Sequence, residues 1–144
     1  MFVRKKIILI FIVIAMMLSC NSGKKINSEK SQKVKIANNI NIKTISIKES
    51  RKMIKDRIDD KNFVLLDIRT PKEFNEFHID KAINIDYYNR NFKNELEKLD
   101  KSRDYLIYCR SAHRSKAGLK IMKELGFKSV VDMDGGITKW LKNR

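Results

Sequence analysis

From Thr44 onward the chain switches repeatedly between two hydrophobic periods. Residues 44–47 alternate and are rich in β-branched side chains, which predicts a short strand. Residues 48–58 put Met53, Ile54 and Ile58 on one helical stripe. Residues 62–67 are almost continuously apolar, as in a strand covered on both faces. Thr70 then predicts an N-cap, with Pro71 at the first helical position, Glu73 in the first turn, and Phe74 and Phe77 on one face. Residues 82–85 predict another short strand. Residues 91–99 predict a helix with Phe92, Leu96 and Leu99 in register. Residues 105–108 read as a second covered strand. Residues 115–125 form a helix with Leu119, Ile121, Met122 and Leu125 inward, stopped by Gly126. Residues 129–132 are the last strand, and Gly135-Gly136 starts a short helix carrying Trp140. About five strands alternating with helices predict an α/β fold: a mainly parallel sheet with helices on both faces. Such sheets bind ligands beyond the carboxyl ends of their strands. The residue directly after the strand at 105–108 is Cys109.

The N-terminal segment follows neither period. Residues 7–18 are an unbroken apolar run of 12, behind Arg4, Lys5 and Lys6. As a helix it would span about 18 Å at about 1.5 Å per residue, well short of the ~30 Å hydrocarbon core. A basic start, a short apolar run and the small Ser19 predict a secretory signal over residues 1–19. Ser19-Cys20 resembles a bacterial lipoprotein cleavage site, with Met17 where that pattern has Leu and Leu18 one place later. The resemblance implies that Cys20 is lipidated, becomes the new N-terminus, and anchors an exported protein in the membrane of a bacterial cell envelope, on its periplasmic or surface side. Residues 20–43 hold six Lys and one Glu among Asn and Ser, a polar tether leading to a domain at residues 44–144.

Composition narrows the partners. The 144 residues allow one domain with an appendage, and 42% hydrophobic content supports one core. More than half of the net charge of +15 precedes Thr44. With export and no aromatic residues among the basic ones, nucleic acid is not an expected partner. Two Cys cannot build a multi-disulfide scaffold or a Cys-only zinc site, and no metal is expected. If Cys20 is lipidated, Cys109 has no intramolecular partner and is either buried and inert or exposed and reactive.

The loop after Cys109 favours reactivity. It reads Arg110-Ser111-Ala112-His113-Arg114-Ser115 and runs into a helix. Backbone N–H groups of residues 110–115 can turn inward as an anion-binding nest, with the helix dipole and Arg110, His113, Arg114 and Lys116 adding positive charge. Those features favour thiolate over thiol, and then an anionic adduct on the sulfur.

The domain resembles the rhodanese family in four segments in the right order. Residues 66–70, Leu-Asp-Ile-Arg-Thr, are similar to its Asp-x-Arg segment, with Glu73 following. Residues 78–85 are similar to its His-Ile-x-Gly-Ala-x-Asn-Ile segment. Residues 109–115 are similar to its Cys-Arg-Ser-Gly-x-Arg-Ser loop, and residues 135–140 to its Gly-Gly-x-x-x-Trp end. The resemblance implies a rhodanese-like fold and a sulfurtransferase with no cofactor, and a monomer is expected. Cys109 would carry a persulfide between an anionic donor such as thiosulfate and a thiol or cyanide acceptor. Residues 110–115 would bind the donor, Arg110 and Arg114 above all, while Asp67, Arg69 and Glu73 brace the loop. Three departures stand out: Ala112 and Lys81 replace Gly, and Phe77 replaces the Gly before His78. Two other readings use the same residues. A phosphatase or arsenate reductase would use a similar cysteine loop, although its Cys-x5-Arg spacing is one residue longer than Cys109 to Arg114. A binding module would keep the fold without the chemistry.

Overall fold

The computed structural model describes residues 41–142. The expected signal, Cys20 and most of the tether lie outside the described residues. Strand β1 (Asn41–Ile45) starts earlier than the alternation suggested and takes in the last three residues of the expected tether. Ser46 is not in the strand: it caps helix α1 (Ile47–Arg57), and its hydroxyl and the Glu49 carboxylate close a reciprocal capping box. Strand β2 (Phe63–Asp67) is buried at every position. Thr70 caps α2 (Pro71–Glu76), with Pro71 at its start and Glu73 completing a second capping box. Then come β3 (Ile83–Asn84), α3 (Phe92–Glu97), β4 (Asp104–Tyr108), α4 (His113–Glu124), β5 (Ser129–Met133) and α5 (Gly136–Lys142).

The five strands make one sheet in the order β1-β5-β4-β2-β3, and every pairing is parallel. The sheet is therefore wholly, not mainly, parallel, and each of its faces has its own core. On one face Ile45, Leu65, Leu106, Tyr108 and Met133 pack with Ile47 and Ile54 of α1 and Ile137 of α5. On the other, Val64, Leu66, Ile107 and Val130 pack with Phe92 and Leu96 of α3 and Met122 of α4. Cys109 belongs to this second core. The central strands β4 and β2 have no polar face, which explains their uninterrupted apolar runs.

One helix departs from the expected pattern. α2 ends at Glu76 with no buried residue, so Phe74 and Phe77 do not share a helical face. Phe74 instead stacks on the His78 ring at 3.9 Å between centroids, and Phe77 is exposed in extended backbone. α2 is held from its first turn, by Glu73, not from an apolar face.

Candidate active site

β4 ends at Tyr108 in the middle of the sheet, and Cys109 follows with no exposed surface. The next three residues turn the chain sharply into α4. Ala112 occupies its N-cap at φ 69°, ψ 0°, a left-handed conformation that favours glycine. Lys81, the other residue that replaces a Gly, also has a positive φ, of 60°. The turn aims the first amides of α4 back at the cysteine. The Ser115 N–H donates to Cys109 Sγ at 3.4 Å. The amides of His113 and Arg114 precede the first intrahelical bond, which Lys116 N–H makes to Ala112 O, so they have no partner within the helix.

Above this turn lies a cavity of about 440 Å3 lined by Glu73, Tyr88, Arg110, Ser111, His113 and Arg114. Four of the six loop residues expected to bind the donor thus line it. Ala112 and Ser115 do not: both are buried, and they act through backbone geometry. Arg110 and His113 are exposed side chains at the cavity. Arg114 is buried and has a second role. Its guanidinium donates to both oxygens of Glu73, at 2.8 and 2.7 Å, tying α4 to α2. Glu73 is therefore a direct anchor of the loop.

Asp67 and Arg69 brace a different part of the molecule. They form a buried, multiply hydrogen-bonded pair, and Arg69 also donates to Phe77 O at 2.6 Å. Asn84 donates to the carbonyls of Asp67 and Arg69, both at 2.9 Å. Asp67 points to the sheet face that carries Tyr108, opposite to Cys109. The pair fixes the chain around α2 and also lies against Tyr108, the residue before Cys109, with the Arg69 guanidinium 5.8 Å from its ring centroid.

The place of Tyr88 and the contact of Gly136 with the loop went unread in the sequence. Tyr88 is 68% exposed, walls the cavity and faces the Arg114 guanidinium at 5.3 Å. Its only sequence signal was an aromatic pair, Tyr87-Tyr88, in a polar loop. Gly136 presses its backbone against the loop: Ile137 N–H donates to Cys109 O at 2.8 Å and Thr138 N–H to Arg110 O at 3.0 Å. A Cβ at Gly136 would lie 2.3 Å from Cys109 O, and φ is +57° there. Gly136→Ala is expected to destabilise the domain by about 2 kcal/mol or more, from backbone overlap and left-handed strain. Chemical denaturation read by circular dichroism checks this.

The Arg114 guanidinium, the largest influence on Glu73, holds its carboxyl down at about 2 from an ordinary 4.5, against burial that raises it. A depressed carboxyl contributes stability that is fully present above pH of about 4.5 and is lost as pH falls toward about 2. Glu73→Gln is expected to flatten the pH dependence of the melting temperature across that window, compared with the parent protein.

A parallel sheet that delivers a cysteine into a loop of inward amides and arginines defines a protein of the cysteine-loop α/β class. Within that class the family is clear. The rhodanese-like domain model matches residues 50–143, and the chain belongs to that family. It is 35% identical over 98 residues to YtwF, a putative sulfurtransferase of Bacillus subtilis, covering 67% of this chain and 92% of that one. It is 32% identical over 113 residues to rhodanese-like domain-containing protein 17 of Arabidopsis thaliana, covering 70% of this chain and 69% of that one. Among solved structures, a rhodanese-related protein from Thermoplasma volcanium superposes with a TM-score of 0.60 at 26% identity, covering 70% of this chain and 92% of that one.

Proposed function

We propose that the protein is a sulfurtransferase that passes a sulfane sulfur from an anionic, thiosulfate-like donor to a thiol or cyanide through a persulfide on Cys109. The observation that carries this reading is the Ser115 amide on Cys109 Sγ, under a cavity rimmed by Arg110 and His113. Arg110 and the free amides of the α4 first turn bind the donor's anionic end. The Cys109 thiolate attacks the outer sulfur. An S–S bond forms to Cys109, and the donor's own S–S bond breaks, so sulfite leaves with the electron pair. The outer persulfide sulfur then sits among the inward amides. An acceptor thiolate or cyanide attacks it, and the Cys109 thiolate departs with its bonding pair. Electrons balance at each step, and no cofactor is called on. Relatives named as sulfurtransferases support the reading. Steady-state assay with thiosulfate and cyanide tests it: thiocyanate should form with ping-pong kinetics. Hydrolysis of aryl phosphates without thiocyanate would instead favour a phosphatase.

We also read the protein as exported and lipidated at Cys20, on the basic start, apolar run and Ser19-Cys20 junction. Fatty-acid labelling in a bacterial host, lost in Cys20→Ala, supports this; label that persists in the variant contradicts it.

A further inference from the structure

One buried acid beneath the cysteine loop is not used by the chemistry above. Asp132, near the end of β5, has no exposed surface. It sits level with Thr44 of β1, whose hydroxyl donates to Asp132 Oδ2 at 3.3 Å. Its other oxygen, Oδ1, makes no well-formed hydrogen bond, and neither does the equally buried Ser115 Oγ. Asp132 pairs in register with Ile107 of β4, two residues before Cys109; burial, the largest influence, raises its carboxyl, and the nearby Ser115 hydroxyl lowers it. The charges that reach Asp132 are Lys116 of α4 and Asp134 just past β5; β1 offers only the Thr44 hydroxyl. A buried carboxylate in such a place is costly unless its oxygens are occupied, and a serine hydroxyl can rotate to occupy one. Ser115 is also the residue whose N–H meets Cys109 Sγ.

We propose that Asp132 is a positioning residue for Cys109, pinning the Ser115 hydroxyl from below so that the Ser115 N–H stays aimed at the sulfur. Asp132, Ser115 and Cys109 then form one chain of contacts from the last strand of the sheet to the nucleophile. The inference rests on Cys109 being the nucleophile of the proposed reaction, but it concerns the thiol itself and not the identity of the sulfur donor.

A pair of variants isolates the contact. Asp132→Asn removes the charge but keeps a carbonyl that accepts from Ser115. Asp132→Leu is close to Asn in shape and has no acceptor. Both lack the negative charge, so any difference between them reports the hydrogen bond. The measurement is the rate of iodoacetamide alkylation at Cys109 in the full chain. It is followed by mass of the Cys109 peptide, so that Cys20 does not interfere, over a pH series. The expected result is an alkylation midpoint about one pH unit higher in Asp132→Leu than in Asp132→Asn, the order of one hydrogen bond to the charged form. Coincident midpoints in two folded variants would overturn the proposal. Should the Leu variant not fold, Asp132→Ala makes the same comparison. Because alkylation needs no sulfur donor, a failed thiocyanate assay with separated midpoints would count against the donor and leave Asp132 in place.

Discussion

Cys109→Ser is expected to lower thiosulfate-dependent thiocyanate formation by at least about three orders of magnitude, because the covalent intermediate has no other carrier. The substitution is nearly isosteric and keeps a polar atom within reach of the Ser115 amide, so the fold should survive. Equal melting temperatures for the variant and the parent, with activity gone, would place the loss in chemistry. The alternatives separate here too. A binding module would keep its partner in the variant, whereas a sulfurtransferase keeps only the empty cavity. Retained transfer in Cys109→Ser would remove the nucleophile from the account.

The largest effect on stability is expected at Asp67→Ala. The Asp67 side chain is 0% exposed and its partner Arg69 only 7%. Removing the carboxylate leaves a guanidinium buried with Phe77 O as its remaining acceptor. Breaking a buried pair from one side costs about 3–5 kcal/mol, mostly from the stranded charge. For a domain of this size that corresponds to a fall of about 10 °C or more in melting temperature. Calorimetry of the variant checks it. A fall of only a degree or two would mean that Arg69 finds water or another acceptor. Asp67→Asn, which still accepts from the Arg69 backbone and side chain, should recover part of the loss.

Much of the fold could be read from the order of apolar segments. Residues 62–67 and 105–108 are apolar without alternation because β2 and β4 are covered on both faces. Thr70, Pro71 and Glu73 marked the start of α2 through local hydrogen bonding, which needs no tertiary context. The misreadings have physical causes. The alternation through Ile47 masked the capping box at Ser46, since Ser suits both an edge strand and an N-cap. Phe74 and Phe77 have the spacing of one helical face, but α2 ends at Glu76 and Phe77 is in extended backbone.

In the site, Cys109 and the loop were legible because residue type, order and a following helix all agree. The Arg114–Glu73 pair was not, because the two residues are 41 positions apart and nothing local joins them. The same holds for Asp132 beneath Ser115, and for Gly136 against Cys109 O, which depend on β5 and α5 returning beside β4. Sequence order located the nucleophile; the residues that hold its loop in shape come from tertiary contacts.

The most direct test of the central claim is the intact mass of the protein after exposure to thiosulfate and again after cyanide. One sulfur atom should be gained, peptide mapping should place it on Cys109, and cyanide should remove it as one equivalent of thiocyanate. A protein whose mass stays unchanged by thiosulfate, while Cys109 remains open to alkylation, would contradict it.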